Sequence, residues 1–259
     1  MSLVRMQFED QVATLTLDHD RRRNALSKEL IADILAAFEE FGRQRARAVI
    51  LRANPGARVW SAGHDVRELP NPGRDPLSYQ DPLEQVIRAI RASPAPVIGM
   101  IEGGVWGGGC EVALCCDILV GAPSATFAIT PAKLGVPYNI SGVLRVMSAV
   151  GPMLAREMFF TARPLEAERA LQVGILNHLV PADELEAYTR ELAATIARNS
   201  PLAIATIKEQ LRTLTNAAPL HPESFERLQG LRRKVYDSGD YREGIAAFLE
   251  KRAPSFQGE

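Results

Sequence analysis

Two short glycine-bearing stretches carry most of the chemistry this sequence offers. SAGHD at 61–65 follows the strand-like run ARVW, and GGVWGGGCE at 103–111 follows the apolar run PAPVIGMIEG and opens a helical pattern. Glycine turns and helix N-termini leave backbone N–H groups unpaired and let a ligand oxygen approach them closely. Two such loops on neighbouring strands would aim two N–H donors at one carbonyl oxygen, which is what an enolate or a tetrahedral oxyanion requires. Tight strand-to-helix packing explains the same glycines without any ligand. His64 offers either its imidazole or its backbone N–H. Glu111 in the first helical turn is a candidate acid or base, and equally a carboxylate that the helix dipole favours.

Other chemistries find less support. No G-x-G-x-x-G register fits residues 103–109, and no Gly-Lys-Ser/Thr follows, so a nucleotide fingerprint is absent. Cys110, Cys115 and Cys116 have no His beside them to make a nucleophile pair, and read as small packing residues. His19, His64, His178 and His221 are scattered without metal-ligand spacing, so no metal is expected.

The elements that must position these residues follow from periodicity. The run at 11–18, QVATLTLD, alternates as a half-buried strand, and 27–44 carries apolar residues at helical spacing behind Ser27 as N-cap. ARAVILRA (46–53) and PAPVIGMIEG (94–103) predict buried strands, separated by a Pro/Gly/Asp-rich loop at 54–82 and a short helix near 83–91. ILVGA and TFAI return to strand character, and beyond about residue 141 the pattern is helical, with Ser200 and Pro201 as a cap and first-turn pair. This predicts an α/β protein with a core over 1–195 and a helical C-terminal region over 196–259. With 259 residues, 46% hydrophobic and 24% charged, the chain can bury a sizeable core. A net charge of -1 gives no broad basic field, so nucleic acid and anionic membrane are not the expected partners. No stretch reaches membrane-spanning length, and the N-terminus lacks a long apolar run, so a soluble cytoplasmic protein is expected.

WSAGHD followed by GGGCE, with NALS at 24–27, LGVP at 134–137, RPLEAERALQVGILNHLV at 163–180 and the tail AFLEKRAPSFQG, resembles the crotonase (enoyl-CoA hydratase/isomerase) superfamily over essentially the whole chain. The resemblance implies a spiral of ββα units, a helical C-terminal region that makes trimer contacts, a homotrimer or hexamer, and an acyl-CoA thioester as substrate. It assigns the oxyanion hole to the backbone N–H groups of His64 and Gly108. Family hydratases use two glutamates; Glu111 matches the first, but FAITPAKLG (127–135) has Pro131 where the second belongs. Proline cannot exchange a proton, so ordinary hydration is not expected.

VWSAGHDVRELP, GRDPLSYQDPL, TPAKLGVPYN and VYDSGDYREGIAAFLEKR resemble more narrowly a branch of the superfamily that decarboxylates methylmalonyl-CoA to propionyl-CoA, with Tyr138 at that branch's catalytic tyrosine. Such chemistry needs an oxyanion hole and neither biotin nor metal, because the thioester itself accepts the electrons. Tyr138 would orient the substrate carboxylate, or else be a core aromatic with a satisfied hydroxyl. His64, Tyr138 or an ordered water could return the proton. By the same resemblance Ala62, Gly63, His64, Asp65 and Val66 line the acyl and pantetheine end, Thr130 lies near the thioester, and Lys251 lies near the CoA phosphates. The RRRN run at 21–24 reads as a solvated face. Within the fold, an enoyl-CoA isomerase or thioester hydrolase using Glu111 is the alternative; outside it, a non-catalytic acyl-CoA- or RNA-binding homologue.

Overall fold

The computed structural model describes residues 2–69, 81–215 and 222–258. Most of GRDPLSYQDPL, the last residue of VWSAGHDVRELP and His221 lie outside the described residues, so the loop at 54–82 is described except for 70–80.

In chain order the strands are β1 (Val4–Glu9), β2 (Val12–Leu17), β3 (Ala48–Ala53), β4 (Val59–Ser61), β5 (Val97–Ile101), β6 (Gly104–Trp106), β7 (Ile118–Gly121), β8 (Thr126–Ala128), β9 (Leu165–Glu166) and β10 (His178–Leu179). The helices are α1 (Lys28–Arg43), α2 (Pro82–Ala92), α3 (Gly108–Leu114), α4 (Ile140–Thr161), α5 (Ala167–Gln172), α6 (Leu185–Arg198), α7 (Pro201–Thr215), α8 (Pro222–Tyr236) and α9 (Gly239–Glu250).

Two sheets result, one in the order β1-β2-β3-β5-β7-β10 and one in the order β4-β6-β8-β9. The chain visits the large sheet, then the small one, then a helix: β3-β4-α2, β5-β6-α3 and β7-β8-α4 are successive turns of one spiral. An earlier, reduced turn contributes only a bridge between Leu26 and His64 to the small sheet before α1. All pairings inside the spiral are parallel, whereas β1 with β2 and β8 with β9 are antiparallel.

Strands β3 and β5 are apolar on both faces because both faces are covered. Val49, Leu51, Val97 and Ile101 pack toward α1 and α2, while Ile50, Ile98 and Met100 pack under Leu185 and Ala193 of α6. α1 brings Leu30, Ile31, Ile34, Ala37 and Phe41 to that core, and its Ser27 Oγ accepts from the Leu30 N–H at 3.2 Å, as the sequence reading expects. Burying each large aliphatic side chain contributes about 1.5–3 kcal/mol.

The C-terminal helices behave differently. Lys208 fastens α7 to the core through Asp117 at 2.6 Å and the carbonyls of Ile90 and Ala95 at 3.1 and 3.2 Å. No residue of α7 is buried. α9 packs against the 3-10 turn at Pro131–Leu134 so closely that a methyl on Gly244 would sit 2.1 Å from the Leu134 oxygen. Four strands escape the periodicity argument: β9 and β10, of two residues each, interrupt the stretch beyond 141 that reads as helical, and two more lack a pattern of their own. β1 buries only Val4 of its six residues, so no alternation marks it, and β6 is three residues inside a glycine cluster. No helix among the described residues is long and apolar enough to cross a membrane.

Candidate active site

β4 and β6 are hydrogen-bonded neighbours running parallel, so the loops after them leave the sheet side by side. How near they come is set by two glycines. Gly63 has φ +82°, and a methyl there would lie 2.5 Å from the Trp106 oxygen and 2.8 Å from the Gly108 nitrogen. A methyl on Gly109 would meet the Ser61 Cβ at 2.8 Å. Either would push the loops apart. The first loop is anchored by Asn24, fully buried, which donates to the Trp60 carbonyl at 3.1 Å and accepts from the His19 N–H at 2.8 Å. Ser61 Oγ donates to the Asn24 carbonyl at 2.8 Å and accepts from the Gly63 N–H at 3.2 Å, and the Gly63 carbonyl accepts from Leu26 at 2.8 Å. Gly108 is the first residue of α3, where an N–H has no intrahelical acceptor. Among the described residues neither it nor the His64 N–H donates to a protein oxygen.

A cavity of about 870 Å³ lies against these two loops. Ala62, His64, Asp65, Val66, Gly108, Glu111, Thr130, Tyr138 and Lys251 all line it, together with the apolar side chains of Leu83, Trp106 and Phe248. Gly63 stands behind that wall and spaces the loops. Pro131 also faces the cavity, where the resemblance would place a second carboxylate.

Glu111 is 1% exposed at its side chain and is held by Arg145, whose Nε donates to Oε1 at 2.9 Å. The Arg145 Nη2 also donates to Glu111, and reaches Glu84 at 2.6 Å; Ser141 Oγ donates to the same Glu84 oxygen at 2.9 Å. Burial pushes the Glu111 carboxyl up, and Arg145 offsets part of that rise. Burial works against the Arg145 charge too, yet Glu111 and Glu84 outweigh it and hold the guanidinium above its ordinary value.

Tyr138 presents the opposite case. Its ring meets Phe159 edge-on at 5.0 Å, and burial, with the Glu111 charge adding to it, holds the phenol well above its ordinary pKa. The hydroxyl is buried and makes no well-formed hydrogen bond among the described residues, although it lies close enough to the Glu111 carboxylate to interact with it; His64 Nδ1 is buried without a partner among those residues. Asp81, the side-chain cap of α2, is pushed up by burial while the nearby His64 acts to lower it.

Asp65 has a structural occupation. Its buried carboxylate accepts from the Arg67 backbone at 3.1 Å and from the Arg67 guanidinium at 2.9 and 2.5 Å, which holds its pKa below the usual carboxylate range. Arg22 approaches it at 3.6 Å. The RRRN run is therefore not simply a solvated face: Arg21, Arg22 and Arg23 line the cavity beside Lys133 and Lys251. Lys251 caps α9 in a left-handed conformation, φ +57°. The thiols of Cys110 and Cys115 are pushed up to about 12 by burial, consistent with packing roles. The described residues contain no cluster of three His, Cys, Asp or Glu suited to a metal.

Sequence reasoning missed Arg145 and Glu84. The available signal was a lone cation inside the apolar helical run SGVLRVMSAV, which a buried helix face tolerates only with a partner.

The family model for enoyl-CoA hydratase/isomerase matches residues 7–259. The chain is 49% identical over 249 residues to methylmalonyl-CoA decarboxylase of Escherichia coli (strain K12), covering 96% of this chain and 95% of that one. Among solved structures it is similar to methylmalonyl-CoA decarboxylase complexed with 2S-carboxypropyl-CoA, with TM-score 0.98, 48% identity, and 100% and 99% of the two chains covered. It is likewise similar to methylmalonyl-CoA decarboxylase in complex with 2-nitronate-propionyl-CoA, with TM-score 0.97, 48% identity and 99% of each chain covered.

Proposed function

The chain belongs to the enoyl-CoA hydratase/isomerase family, and from that premise we propose that it is a carboxy-lyase converting methylmalonyl-CoA to propionyl-CoA. The relatives of about half identity that bear this activity in their names support the reaction. The observation that carries it in this chain is the pairing of two undonated N–H groups, on His64 and Gly108, with a buried Tyr138 hydroxyl that makes no well-formed hydrogen bond, all on the wall of one cavity.

The chemistry follows from those groups. The thioester oxygen sits between the N–H groups of His64 and Gly108. As the bond from Cα to the carboxylate breaks, its electron pair moves onto that oxygen, CO2 leaves, and the two donors hold the enolate. No strong base is needed to begin, which suits a site whose buried carboxylate, Glu111, is engaged by Arg145. Tyr138 donates to the substrate carboxylate and orients it out of the thioester plane, beside apolar walls that disfavour its charge. A proton then returns to Cα, through the His64 imidazole, Tyr138 or water, and gives propionyl-CoA. The reaction so written uses neither biotin nor metal.

Ala62 to Val66 and Thr130 form the acyl and pantetheine surface in this reading, with Asp65 acting through its backbone because its carboxylate is occupied. Lys251, with Arg21 to Arg23, faces the CoA phosphates. Residues 196–259 supply the contacts of a homotrimer or hexamer: α7 buries none of its residues, while Leu202, Ile207, Leu211 and Leu214 are all exposed.

The test incubates the protein separately with methylmalonyl-CoA and with crotonyl-CoA. Propionyl-CoA from the first and no loss of enoyl absorbance from the second is the expected result. Hydration of crotonyl-CoA without decarboxylation would overturn the proposal and return Glu111 to the role of general base.

A further inference from the structure

Glu111 faces a difficulty in the proposed reaction. It lines the cavity that must receive the substrate carboxylate, and two anions close together in a poorly solvated site repel strongly. The groups around it come from every side. Glu84 lies on α2, Cys110 on its own helix with Cys115 just past that helix's end and Arg91 of α2 facing Cys115, Arg145 on α4, Tyr138 on the loop before α4, and His64 across the cavity. Of the cations, Arg145 is the one bonded to it, and its guanidinium bridges α3 to α2 through Glu111 and Glu84.

We propose that Arg145 is a positioning residue for substrate selection: its guanidinium ties the Glu111 carboxylate to α4 and cancels its field, so that a carboxylate-bearing acyl group meets Tyr138 and not an uncompensated anion. This rests on the decarboxylase reading of the site. It also explains how a chain that retains Glu111 is turned from base chemistry toward an anionic substrate. The carboxylate is held by Arg145, so it is turned away from taking a proton from substrate and its charge is offset where the incoming carboxylate enters.

The ratio of affinities for 2-carboxypropyl-CoA, which carries the carboxylate, and propionyl-CoA, which lacks it, tests the proposal by calorimetry from about pH 6 to 9. The parent protein should give a constant ratio. In Arg145→Met, Glu111 is left buried without its cation, so the further it ionises with rising pH, the more of its charge goes uncompensated. Binding of 2-carboxypropyl-CoA should then weaken about tenfold or more as pH rises, while propionyl-CoA stays within about twofold. Arg145→Lys should restore the flat ratio, and so should adding Glu111→Gln to Arg145→Met.

Equal weakening of both ligands at every pH, or no change in either, would overturn the role. Should Arg145→Met fail to fold, Glu84→Gln decides the matter from the other direction. It leaves the Arg145–Glu111 pair while removing one negative charge, so 2-carboxypropyl-CoA should tighten about two- to threefold relative to propionyl-CoA; an unchanged ratio would sink the idea. Because binding is read without turnover, a parent protein that fails to decarboxylate methylmalonyl-CoA refutes the function, whereas an indifferent ratio refutes only Arg145.

Discussion

Two sets of polar groups meet at the cavity, one reaching back from its wall into the packed helices, and they differ in one respect. Glu111, Arg145, Glu84 and Ser141 satisfy one another across three helices, and Asp65 is likewise held by Arg67 and Arg22. The N–H groups of His64 and Gly108 and the Nδ1 of His64 have no protein partner among the described residues, and the Tyr138 hydroxyl makes no well-formed hydrogen bond there, with only the Glu111 carboxylate near it. Buried polar groups are nearly always paired, and each one left unpaired costs about 1–3 kcal/mol. The unpaired set is thus the one whose retention needs a substrate to explain it. Residues that look most chemical by type, the carboxylates, are engaged in structure, and the residues that face substrate do so largely through backbone and a single phenol.

The sharpest way to break this contrast is to spoil the backbone donors while leaving every side chain of the ion network alone. Gly63→Ala puts a methyl 2.5 Å from the Trp106 oxygen at a left-handed φ, so the two loops must separate. Turnover should fall about 100- to 1000-fold, the range for losing one oxyanion donor, with propionyl-CoA formation as the readout. Tyr138→Phe comes next. If the hydroxyl serves substrate alone, kcat/KM should drop about 10- to 100-fold, the scale of about 1.5–3 kcal/mol for a hydrogen bond to a charged group. The melting temperature should hold or rise, because an unsatisfied buried hydroxyl has been removed; a lower melting temperature would mean that Tyr138 belongs to the satisfied set.

Asp65 probes that satisfied set by acid titration. Its folded pKa is depressed by Arg67, so its stabilising contribution is present above the unfolded value near 4 and is lost as pH falls through the folded value. Asp65→Asn should therefore destabilise by about 1 kcal/mol at neutral pH and by progressively less in acid, measured by denaturant melts between about pH 7 and 3. The smallest effect calibrates the rest. Ser27→Ala removes the cap of α1 far from the cavity, and should lower stability by about 0.5–1 kcal/mol with turnover unchanged.

Local signals marked the spiral well where a pattern repeats over many residues. α1 declared itself by apolar spacing and its cap, and β3 and β5 by continuous apolar runs. β1, with five of its six residues exposed, and the three-residue β6 carry too little pattern to be seen. In the site, SAGHD and GGGCE were legible as paired glycine loops after strands, which close packing alone explains singly but which together match the family pattern. Arg145 and Glu84 were not, since they lie 61 residues apart and only the crossing of α2 and α4 brings them to 2.6 Å.

By itself the sequence determined the residue types: glycines where loops must touch, proline where a second carboxylate would stand, a tyrosine and a glutamate beside one another in the finished site. Only the tertiary structure decided which of these groups are occupied. Whether an N–H, a hydroxyl or a carboxylate is free depends on what a distant segment offers it. That offer is fixed by the parallel pairing of β4 with β6 and by the packing of α2, α3 and α4, not by anything local to the residue.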